Sequence, residues 1–112
     1  MKRKPKPKDP TGGSVLSILF RDDGEAYIWD IHNRYDPTTP QNLQRKIDEV
    51  RAIGRKRWMV WLRPRHIAQP LGVSPVIWIG HPDGPGSGAY QLGWVHIDKL
   101  HETLLAHMGM VA

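Results

Sequence analysis

Residues 58–62, Trp-Met-Val-Trp-Leu, are apolar at every position and stand between Gly-Arg-Lys-Arg and Arg-Pro-Arg-His. A strand with one wet face alternates apolar and polar side chains, so a short unbroken apolar run suits a central strand, covered on both faces. Side chains alternate along a strand, which sends Trp58, Val60 and Leu62 to one face and Met59, Trp61 and Arg63 to the other. The chain therefore needs a sheet, with a helix layer on one side of it and a loop or a partner on the other.

The remaining pattern supplies that sheet. SVLSILF (14–20) and AYIWDIH (26–32) flank Arg-Asp-Asp-Gly-Glu and read as a hairpin. NRYDPT (33–38) reads as a loop. Thr39 followed by Pro40 is a helix start, because the hydroxyl accepts from free N–H groups and proline suits the first helical position. Leu43, Ile47 and Val50 then share one helical face, and Gly54 is a stop. Residues 63–74 contain two prolines and read as a loop. PVIWIGH (75–81) and AYQLGWVH (89–96) read as strands joined by a mobile hairpin loop, PDGPGSG. Asp98 is placed to cap a last helix, with Leu100, Leu104 and Met108 on one face and Gly109 at its end. The expected fold class is α+β: a largely antiparallel sheet of about five strands in the order β-β-α-β-β-β-α, with two helices on one side.

At 112 residues the chain has room for one domain. Residues 1–13 alternate Lys and Pro before Gly-Gly and offer no apolar side chain after Met1, so they read as a flexible basic tail, with the domain at 14–112. No apolar run follows the basic N-terminus and none approaches the ~20 residues of a membrane span, so the expectation is a cytoplasmic protein with no membrane contact. The chain has no cysteine. Disulfides, cysteine nucleophiles and thiolate metal sites are thereby excluded. Small, basic, cysteine-free chains are frequent among phage and plasmid accessory proteins, although no motif here points to one.

Charge is unevenly spread. Residues 1–13 carry a net +4, residues 45–65 a net +6, and the remainder a net −5. Such a field steers an anionic partner, and the steering weakens as salt rises. The cations able to meet phosphates are Lys2, Arg3, Lys4, Lys6 and Lys8 of the tail with Arg45, Arg55, Lys56, Arg57, Arg63 and Arg65 of the middle, and Trp61 could stack on a base. The plainer alternative makes Trp58 and Trp61 both core, as is common in small sheets, while the basic clusters remain at exposed strand ends. Five tryptophans, all in expected strands, are too many for one covered face. One or two of them are expected to be partly exposed, where they would serve a homodimer, a partner surface or a nucleic base.

Catalytic and metal signals are weaker. HETLLAH (101–107) resembles a zinc-protease helix pattern, but its histidines are six residues apart and fall about 120° apart around a helix. His96 and His101 have no evident third ligand. Asp30 with His32, and His81 with Asp83, could each orient a general base, yet no nucleophile accompanies them. The leading expectation is a non-enzymatic protein that binds nucleic acid, without metal or cofactor. The alternative is an interaction or inhibitor module that docks an acidic or nucleic-acid-binding surface of a protein partner.

Overall fold

The computed structural model describes residues 14–112. The expectations for the 1–13 tail lie outside the described residues. The architecture is α+β, with six antiparallel strands and three α-helices: β1 Leu16–Phe20, β2 Ala26–Asp30, β3 Tyr35–Pro37, α1 Pro40–Arg51, β4 Arg57–Arg63, α2 Arg65–Leu71, β5 Val76–Gly80, β6 Tyr90–His96 and α3 Leu100–Val111. A 3-10 turn, Ile97–Lys99, leads into α3. The sheet order is β3-β2-β1-β5-β4-β6.

Local chemistry explains most of these elements. Arg21 and Glu25 close the β1–β2 turn through a backbone hydrogen bond of 2.8 Å, and Gly24 supplies the positive φ of 88° that the turn demands. Thr39 caps α1, its hydroxyl accepting from the Asn42 N–H at 3.1 Å, and Pro40 occupies the first helical position. Leu43, Ile47 and Val50 are buried against the sheet. Leu100 and Leu104 of α3 join the same core with Ile18, Ile28, Trp58, Val60, Leu62, Ile77 and Ile79. Both long helices thus cover one face of the sheet.

Four details differ from the sequence reading. The segment 35–37 pairs with β2 as a short edge strand, its proline tolerated at its end. Residues 65–71 form α2, with Pro64 at its N-cap position and Pro70 in its last turn, where the missing N–H costs a single terminal bond. Ahead of α3, the Asp98 N–H donates to His96 Nδ1, so histidine caps the 3-10 turn, and α3 itself follows from Lys99 without the side-chain cap that Asp98 was expected to make. At its end, α3 runs through Gly109, fastened by the buried Val111.

The connection from β5 to β6 is the largest difference. These strands are not neighbours, because β4 lies between them, and both are antiparallel to β4. Residues 81–89 therefore cross the sheet from one end to the other instead of turning a hairpin. They cross on the face opposite α1 and α3. A Cβ on Gly84 would stand 2.5 Å from the Trp61 ring, and one on Gly88 would stand 2.8 Å from Ile67 and Leu71. The glycine loop is the cover that the all-apolar β4 requires on its second face.

Candidate nucleic-acid interface

On the face under the crossover, the strand register sets Tyr35, Trp29, Ser17, Trp78, Trp61 and Gln91 side by side across the sheet. Trp78 is fully buried, and Trp29 and Trp61 pack against it. Burying an indole of this size stabilises the fold by about 2–3 kcal/mol. The Trp61 Nε1–H donates to the His81 carbonyl at 3.3 Å. Trp61 is accordingly half-buried beneath the loop. The exposed tryptophan is Trp94 of β6, at 48%.

Six of the eight cations of the basic middle fall into three groups. Lys46 is wholly buried in α1, with its ammonium hydrogen-bonded to Asp30 and, at 2.6 Å, to Asp36. Burial pulls the Asp30 pKa upward, but the hydrogen bond from Lys46 and those from the Arg34 and His32 backbone N–H groups outweigh it and hold the carboxyl at about 2. Arg34 bridges Asp30 at 3.0 Å and Glu49 at 2.6 Å. This cluster ties α1 to the β2–β3 end of the sheet. Asp30 is thereby committed to cations and to backbone, and does not orient the His32 ring.

Arg63 and Arg65 form the second group. Arg63 is only 4% exposed, contrary to the expectation that both clusters lie in solvent. Its Nε donates to the Ser74 carbonyl at 2.9 Å and its Nη1 to the Gly86 carbonyl at 3.3 Å, so it pins the α2–β5 loop and the crossover to β4. Burial lowers its pKa from the ordinary value, while an arginine still keeps its charge. Arg65 donates to the Ala112 carbonyl at 2.7 Å and the Arg21 carbonyl at 2.9 Å, and its Nη1 lies 3.6 Å from Asp22. It fastens the end of α3 to the β1–β2 turn.

Arg55, Lys56 and Arg57 are the third group. All three are exposed, and none has a carboxylate partner among the described residues. Arg55 lies over the Trp58 ring at 5.2 Å and over the Trp94 ring at 6.0 Å. Cation and exposed indole therefore stand together. Arg45 is exposed on α1, hydrogen-bonded to Asn42 and 3.9 Å from Asp36. Arg51 is paired with Asp98 at 2.5 Å, which holds that carboxyl below its ordinary range.

The two charged ends of β4 do not converge. Seven strand residues span about 20 Å, which separates Arg57 from Arg63 along the sheet. Direction decides which end the tail joins. β1 and β4 are both antiparallel to β5 and so run the same way. Ser14 Cα lies beside Gly80, which pairs with Met59, two residues from Arg57. Residues 1–13, with Lys2, Arg3, Lys4, Lys6 and Lys8, thus join the described fold at the Arg55–Arg57 end. Asp22, Asp23 and Glu25 lie at the other end, in the β1–β2 turn.

The histidines assemble no centre. His81 Nδ1 lies 3.2 Å from a carboxyl oxygen of Asp83 and also accepts from the Asp83 N–H, and both residues are well exposed. His101 Nδ1 pairs with Gln44 Oε1 at 2.6 Å. Among the described residues, no group of three His, Asp or Glu side chains could hold a metal ion, and no helix is long and apolar enough to cross a membrane. Sequence reasoning expected one or two of the five tryptophans to be exposed and named only Trp61 as a stacking residue, without singling out Trp94. The signal for Trp94 was present in YQLGWVH, which has no charge and a central glycine, as suits an outer strand. No family model, curated protein or solved structure matches the chain.

Proposed function

We propose that the protein binds the phosphate backbone of nucleic acid at the Arg55–Lys56–Arg57 end of the sheet, with the basic 1–13 segment adding charge and Trp94 offering a ring to an unpaired base. The observation that carries this reading is the sorting of cations. Arg21, Arg34, Arg45, Lys46, Arg51, Arg65 and Lys99 have carboxylate partners and Arg63 is spent on carbonyls, whereas three consecutive cations beside an exposed indole have none among the described residues. Free cations in a row release counterions from a phosphate chain, and a nearby aromatic face accepts any base. No catalytic step is assigned to the protein.

The test is anisotropy of a labelled generic oligonucleotide, single- and double-stranded, titrated at several salt concentrations. The expected outcome is measurable binding at ~50 mM salt that falls steeply as salt rises. Absence of binding at that salt ends the proposal. A protein partner retained after nuclease treatment would support the alternative, in which the same cations dock an acidic protein surface.

A further inference from the structure

The crossover covers the β4 half of its face, and beyond β1, which is buried at every position, the face opens at Tyr27 and Trp29 of β2 and Tyr35 of β3. There an open groove of about 960 Å³ runs between the β1–β2 turn and the loop before β5, lined by Leu19, Asp22, Asp23, Trp29, Tyr35 and Pro75 among others. Its aromatic wall is ordered: Tyr27 stacks on Tyr35 at 5.0 Å, and Trp29 meets Tyr35 edge-on at 5.5 Å. Its rim is the turn, where three carboxylates, Asp22, Asp23 and the adjacent Glu25, stand against two guanidinium groups, Arg21 beside Asp23 and Arg65 beside Asp22, leaving a net −1 with both aspartates well exposed. Aromatic grooves take extended proline-rich segments, whose rings pack on the indole and phenol faces and whose ordering costs little entropy. Acidic rims select lysines beside those prolines.

The chain carries such a segment. Residues 4–10 read Lys-Pro-Lys-Pro-Lys-Asp-Pro, and Gly12-Gly13 precede Ser14. The lengths agree. Trp29 pairs with Ser17, about 10 Å along β1 from Ser14, and Pro10 is four residues, about 12 Å of extended chain, before Ser14. The turn starts at Arg21, about 23 Å from Ser14, and Lys4 to Lys8 reach about 19–31 Å. We propose that Lys4–Pro10 docks in the groove of its own chain, with proline on Trp29 and Tyr35 and lysines on the acidic turn. The docked segment holds its charge at the end opposite Arg55–Arg57. Nucleic acid and the groove then compete for it. The docking itself does not rest on the nucleic-acid reading.

The chain has no cysteine, so Lys6→Cys gives a single site for a nitroxide label on the full-length protein. In ¹⁵N spectra at ~50 mM salt the label should strip intensity from the Trp29 indole N–H and spare that of Trp94, and ~0.5 M salt should restore it. Asp22→Asn with Asp23→Asn, on the exposed turn, should weaken the effect, and Tyr35→Ala should remove most of it. An unaffected Trp29, or equal loss at Trp29 and Trp94, overturns the proposal. So does loss that appears when labelled chain is mixed with unlabelled ¹⁵N chain, because that result places the segment on a second copy. None of these readouts requires nucleic acid.

Discussion

Arg57 and Arg63 close the two ends of one strand, yet the ends use arginine differently. At the Arg63 end, guanidinium groups are turned onto carbonyls of the β1–β2 turn, the α2–β5 loop, the crossover and the α3 terminus, where they bind four separate segments together. At the Arg57 end, three cations project beside an exposed indole with no carboxylate to meet them among the described residues. A basic cluster in a sequence is thus two different things. It is cement where carbonyls surround it and a binding surface where solvent does. The +6 of residues 45–65 counts both alike.

The largest effect is expected at Lys46, a buried cation that, like Arg63, is spent on structure although it lies away from the Arg63 end. Lys46→Met leaves the buried Asp30 charge without its ammonium and should cost about 3–5 kcal/mol, read by urea unfolding. The same cluster sets an acid limit. The folded Asp30 pKa, about 2, lies below its ordinary 3.8, so the stability it adds is present above pH ~4 and is lost as pH falls through the folded value. The loss should total about 2 kcal/mol, and Lys46→Met should shrink this acid-dependent part, because the Arg34 and His32 N–H groups remain on the carboxyl.

Arg63→Met comes next, at about 2–4 kcal/mol, because the Ser74 and Gly86 carbonyls lose a charged donor. Affinity for an oligonucleotide, measured where the variant is folded, should not change. If it falls, the ends are not distinct. Trp94→Ala inverts the pattern: stability should move by about 0.5 kcal/mol or less, while affinity for a single strand should fall by about 1–3 kcal/mol.

The sequence made the helix-facing side of the sheet legible. Trp58, Val60 and Leu62 against Leu43, Ile47, Val50, Leu100 and Leu104 follow from period and caps alone, since each repeat reports directly on which side is buried. The other side was hidden for two reasons. Consecutive strands are usually neighbours, so PDGPGSG read as a hairpin turn although β4 separates β5 from β6. Prolines at 64 and 70 read as loop, although one stands at the N-cap position of α2 and the other in its last turn. With the crossover on that face, Trp61, which the sequence left between stacking platform and core, is half-buried against Trp78, and Arg63 turns from surface cation to pin. Both changes depend on contacts far apart in the chain. Local pattern does not carry such contacts.

The most direct test of the difference between the two ends is the salt dependence of oligonucleotide binding in two variants. Arg55→Glu, Lys56→Glu and Arg57→Glu together should flatten the slope of log K against log salt by about 2–3 and leave the melting temperature nearly unchanged. Arg65→Glu should lower the melting temperature and keep the original slope. An unchanged slope in the triple variant, or an equal flattening in Arg65→Glu, would contradict the account.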